Sequence, residues 1–194
     1  MAIDKNFESH YKNGTIVTNR IIPEGVEASD YSDVLKFSNC SNATVENCSI
    51  QGGKEDCIDV VRGENFKVLH TYLSPRKNGI TIKGGFVNYL IESVKFFSHG
   101  SDCDMEFGQY DNYWYIGRKP TRGGMLSNIS AEDGNPVVVK LWDATVPEMF
   151  NSHVKIVKIP KMIWWPYFVF RCIQVRGFKN IMKPVETGAF IASK

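Results

Sequence analysis

Asn42-Ala43-Thr44-Val45-Glu46-Asn47-Cys48-Ser49-Ile50, Asn65-Phe66-Lys67-Val68-Leu69-His70-Thr71-Tyr72-Leu73 and Asn88-Tyr89-Leu90-Ile91-Glu92-Ser93-Val94-Lys95-Phe96 superpose when written 23 residues apart. Ala43 falls on Phe66 and Tyr89, Val45 on Val68 and Ile91, and Ile50 on Leu73 and Phe96. A second set lies between them: Cys57-Ile58-Asp59-Val60-Val61, Gly79-Ile80-Thr81-Ile82-Lys83 and Asp102-Cys103-Asp104-Met105-Glu106. Short alternating runs separated by Gly, Asn, Asp and Ser read as two or three strands per repeat. A fixed period of this size is the mark of a solenoid. One strand pair cannot bury its apolar face alone. Stacking repeats at about 4.8 Å per step would bury Val45 on Val68 on Ile91, and Ile58 on Ile80 on Cys103. Asn19, Asn47, His70, Ser93 and Asn128 then form a polar turn column, in which His70 reads as a ladder member rather than a catalyst.

This pattern resembles the right-handed parallel β-helix, the pectate-lyase-like repeat superfamily. The resemblance is carried by residues 14–107. It implies an all-β fold: a single-stranded right-handed parallel β-helix of about seven coils, with an N-terminal cap and one lateral loop insertion. Residues 1–13 are expected to be the cap, laying Phe7 and Tyr11 on the first coil. Regular coils follow over 14–108, a lateral loop over 109–124, further coils over 125–182 and a tail over 183–194. The loop is inferred because Ile91 finds its next equivalent at Leu126 rather than near residue 114.

The chain has 194 residues, fitting one domain. Its net charge of +2 gives no long-range attraction to nucleic acid. No apolar run approaches the roughly 18 residues that span a bilayer, and the N-terminal residues do not read as a secretory signal. The five cysteines follow no metal-ligand spacing and read as buried thiols of a protein folded in a reducing compartment.

Three groups of residues are candidates for function. The first is a carboxylate row, Asp59 and Asp104 with Thr81 between them and Glu106 close by. β-Helix polysaccharide enzymes work in such a groove, and two carboxylates about two coils apart approach the separation of an inverting acid/base pair. The same residues also suit a solvated sheet face, so both readings stay open. Asp102 and Asp104 are the candidates for a cation with oxygen ligands. The polygalacturonase-like motifs are not matched: Asp56-Cys57 stands in place of Asp-Asp, His99-Gly100 lacks the leading Gly, and no Arg-x-Lys follows.

The second group is Tyr110, Tyr113, Trp114 and Tyr115 with Arg118, Lys119 and Arg122 in the lateral loop. Their flat rings with polar tips suit a glycan or a protein interface. The third is Trp164, Trp165 and Tyr167, whose second face would need a partner. The reading that best fits all three is a structural or receptor-facing β-helix of a phage virion. It would be made in the host cytoplasm and would act on a tail or capsid surface as a homo-oligomer, such as a trimer, or against neighbouring virion proteins or a polysaccharide. No cofactor, nucleic acid or membrane insertion is expected. The alternative is a small polysaccharide lyase or glycoside hydrolase using Asp59, Asp104 and Glu106.

Overall fold

The structure, a computed structural model, describes residues 33–108 and 120–160 in full, and before them the backbone of four short strands. The described residues are all-β and contain no helix, and every strand pair is parallel. The strands form one sheet of 12 and one of 6. The larger sheet has two columns. Its first column runs His10–Tyr11, Leu35–Ser41, the front of Asp56–Leu69, Asn78–Lys83, Cys103–Phe107, Val137–Leu141 and Val154–Lys158. Its second runs Ile16–Thr18, Thr44–Glu46, the back of Asp56–Leu69, Val87–Glu92, Arg122–Ser127 and Glu148–Phe150. Asp56–Leu69 belongs to both columns and joins them. The smaller sheet is Ala2–Ile3, Arg20–Ile22, Ser49–Gly52, Tyr72–Pro75, Lys95–Phe96 and Ser130–Ala131.

The stacking follows the 23-residue period where the sequence is most regular. Val17, Val45, Val68, Ile91, Leu126 and Met149 are register partners in the second column. Ile22, Ile50, Leu73, Phe96 and Ala131 are partners in the smaller sheet. From Val45 to Leu126 and from Ile50 to Phe96 these side chains have no solvent exposure. Like residue therefore lies on like residue, and the core is the space enclosed by the three columns.

The corners need backbone that most residues resist. Asn47, His70, Ser93, Asn128 and Asn151 all adopt left-handed φ angles of 43–54°. Asparagine tolerates this region because its short polar side chain bonds locally. His70 sits in this column, its backbone N–H donating to Glu92 O at 3.0 Å. Cys40, Cys48, Cys57 and Cys103 are buried thiols in no disulfide.

The expected register of the first column is corrected. Ile80 lies opposite Met105, not Cys103, and Thr81 lies opposite Glu106, not Asp104. The turn before Cys103 is two residues longer than the spacing assumes, so Asn78 meets Cys103 while Asp56 meets Asn78. Within residues 1–13, expected to be a cap, Ala2–Ile3 and His10–Tyr11 pair as parallel strands, and the others lie outside the described residues. The insertion ends earlier than residue 124, since Arg122 and Gly124 already pair with Val87 and Tyr89.

Ile80 fills the space between Ile58 and Met105. Replacing it by Ala is expected to cost about 2–5 kcal/mol in urea unfolding. Lys67→Ala, at an exposed position on the neighbouring column, is expected to stay within about 0.5 kcal/mol.

Candidate functional site

The row predicted to carry two aspartates reads, in register, Lys36, Asp59, Thr81, Glu106 and Lys140. Neither an open groove nor a solvated face describes it. Asp59 and Thr81 are fully buried, Glu106 is 1% exposed and Lys36 8%. Charges taken from water need partners, and the neighbouring strands supply them. The Asp59 carboxylate contacts the Lys36 ammonium and lies 3.2 Å from Lys83 Nζ. Lys36 Nζ also lies 3.3 Å from Asp33 Oδ2, and Asp33 Oδ1 accepts the Asp56 backbone N–H at 3.2 Å. Asn78 Nδ2 donates to Asp56 Oδ1 at 2.8 Å and to Glu106 Oε2 at 3.5 Å. Trp142 donates its indole N–H to Glu106 Oε1.

Asp104 has a different role. Its carboxylate accepts Val138 N–H at 2.7 Å and Gly100 N–H at 3.0 Å, and His99 Nδ1 lies 2.8 Å from Oδ2. His99 Nε2 lies 3.2 Å from Asp133 Oδ1. With a carboxylate at each ring nitrogen, the imidazolium, which donates from both, is the form that satisfies both contacts. His99 therefore ties the turn before Cys103 to the turn after Ala131. Asp104 is a turn-organising residue two positions away from the row.

Asp102 pairs with Lys140. Donor atoms of Asp102, Cys103 and Glu106 lie within 4.8 Å of one another, as do those of Asp33, Asp56 and Asp59. Lysines supply the positive charge beside both sets: Lys140 at the first, Lys36 and Lys83 at the second. Asp102 and Asp104, expected together around a cation, meet separate partners: Asp102 Oδ1 pairs with Lys140, and both Asp104 oxygens accept backbone N–H groups.

Burial controls the acidity of this cluster. It pushes Glu106 up to about 7; the Trp142 N–H opposes this, while the charges of Asp56 and Asp102 add to it. Burial raises Asp56, helped by the charge of Asp33, and raises Asp33 itself against the pull of Lys36. The hydrogen bond to Asp104 raises His99.

Arg122 begins a strand and donates from Nη1 to Pro120 O at 3.4 Å. Tyr110, Tyr113, Trp114, Tyr115, Arg118 and Lys119, with Trp164, Trp165 and Tyr167, lie outside the described residues. Sequence reasoning missed Asp33, Lys36, Asn78 and Trp142. Lys36 was in principle findable, as the outward residue between the inward Leu35 and Phe37 of a first-column strand.

The described residues thus form an all-β arrangement of parallel, in-register repeats with a buried ionic row on one column. Compared with known proteins, the chain matches no family model, no curated protein and no solved structure.

Because Glu106, Asp56 and Asp33 hold protons more tightly when folded, their contribution to stability falls as pH rises. For Glu106 it is complete below about 4.5 and is lost as pH passes through about 7. His99 acts in the same direction, its contribution present below 6.5 and lost through its raised folded value. Chemical unfolding is expected to show a more stable protein at pH 5 than at pH 8. Glu106→Gln should flatten that slope by raising stability at pH 8, by roughly 3 kcal/mol at most, and should change little at pH 5.

Proposed function

We propose that this chain is a right-handed parallel β-helix of about seven coils that acts by contact, as a structural or receptor-facing component of a phage virion. Successive repeats place strands in each of three columns, and parallel crossovers are right-handed as a rule. The observation that carries the contact reading is the closure of the carboxylate row. Asp59 and Glu106 are buried and engaged by Lys36, Lys83, Asn78 and Trp142, where an enzyme of this architecture would open them to a polymer. Buried thiols in no disulfide suit a chain folded in a reducing host cytoplasm before assembly outside it. Its partner in this reading is a further copy, three around an axis, or a neighbouring virion protein, with a glycan as the surface recognised.

One observation favours the second reading, a polysaccharide lyase or glycoside hydrolase. Asn78 joins Asp56 to Glu106, and Glu106 stays partly protonated near neutral pH, as a general acid must. On the contact reading, incubation with neutral and acidic polysaccharides yields no new reducing ends and no unsaturated products, with wild type and Glu106→Gln alike. Release that disappears in Glu106→Gln would establish the enzyme instead. Gel filtration should show an assembly larger than one chain, and antibody against the chain should label purified particles.

A further inference from the structure

The second column carries an open groove beside the buried row, on residues that the candidate groups do not include. Its volume is about 530 Å³, and its lining includes Asn42, Asn65, Asn88, Lys67, Leu90 and Met125. Two rows build it. Thr44, Lys67, Leu90 and Met125 are register partners along the column. Beside them Asn42, Asn65 and Asn88 stand at a corner with φ angles of 58–61°, one above another. Asn65 Nδ2 donates to Asn42 Oδ1 at 3.1 Å, and Asn88 Nδ2 to Asn65 Oδ1 at 3.4 Å. Gly123 takes the next place with φ 69°, and a Cβ there would fall 2.5 Å from Asn88 Oδ1. The amide ladder stops at this glycine.

The chemistry of the lining selects its ligand. A primary amide has two donors and two acceptor sites. A rung bonded to its neighbours still has a donor and an acceptor to offer, repeated at about 4.8 Å. Hydroxyl groups, each both donor and acceptor, match that surface. Met125, 37% exposed, and half-buried Leu90 offer an apolar strip to the C–H face of a sugar ring. Tyr89 also lines the groove; it is 3% exposed, and its hydroxyl has no hydrogen-bond partner among the described residues. Lys67 is exposed mid-row, and the described lining holds no carboxylate. A peptide strand would add to a sheet edge, whereas this is a sheet face. A nucleic acid would need a run of cations.

We propose that this groove binds an acidic oligosaccharide, with Lys67 on its carboxylate and the Asn42, Asn65 and Asn88 amides on its hydroxyls. The proposal rests on the reading that the chain acts by contact, so the bound sugar is expected to leave intact. Calorimetric titration of the full chain with uronate- and sialate-bearing oligosaccharides, against neutral dextran oligomers of equal length, tests it. Saturable binding of an acidic oligomer is expected. Lys67→Glu should weaken it about tenfold or more, the loss of one hydrogen bond to a charged group. Gly123→Asn, at a φ that asparagine accepts but with a Cβ that would displace the Asn88 amide from the ladder, should also weaken it. Lys155→Ala, exposed on the first column, should not. Circular dichroism confirms that each variant is folded. No saturation by any acidic oligomer, or equal affinity in Lys67→Glu and Gly123→Asn, overturns the proposal. Mass spectrometry of the recovered sugar separates the two ideas: shortened chains would end the contact reading, while the variants still decide the groove.

Discussion

The constraint on which everything else depends is that the backbone must return in step after each repeat. Parallel pairing places a residue beside its equivalent, so an apolar residue outside its row would meet a polar neighbour. Val68, Leu73 and Ile80, with the register partners on either side of each, satisfy this with no solvent exposure. Returning in step also fixes the corners, where the chain must turn within one residue. That is why asparagine, serine or histidine occupies the left-handed position at Asn47, His70, Ser93 and Asn128.

The ionic row follows from the same constraint. Outward positions of the first column are also stacked, so Lys36, Asp59, Thr81, Glu106 and Lys140 must be neighbours. Burying them removes hydration that only close partners can replace. Lys36 and Lys83 do this for Asp59, while Asn78 and Trp142 serve Glu106. Removing one partner would leave a buried charge alone, which is costlier than never having built the pair.

Much of the repeat architecture was legible because its apolar positions recur at a constant spacing. Val45, Val68 and Ile91 pair as the spacing predicts, and Ile91 meets Leu126 across the insertion. The row of carboxylates was misread by two residues for a physical reason. A slip of two leaves every side chain on its own face, so alternation cannot distinguish Cys103 from Met105 opposite Ile80. Asp104 settles it by binding Gly100 and Val138, contacts that exist only once the turn has formed. The burial of the row was illegible for a similar reason: polarity predicts exposure unless partners from distant repeats are known. The asparagines of the groove stood in plain view at the start of each repeat. Their bonding to one another becomes apparent only when the strands are stacked.

The pairing of strands also bears on how the molecule is made. Almost every described strand is bonded only to strands of the repeat just before and the repeat just after it. A nascent chain could therefore close one repeat against the last while later residues are still being translated. Synthesis would add floors to a standing tower, and a ribosome that stopped early would release a shorter tower.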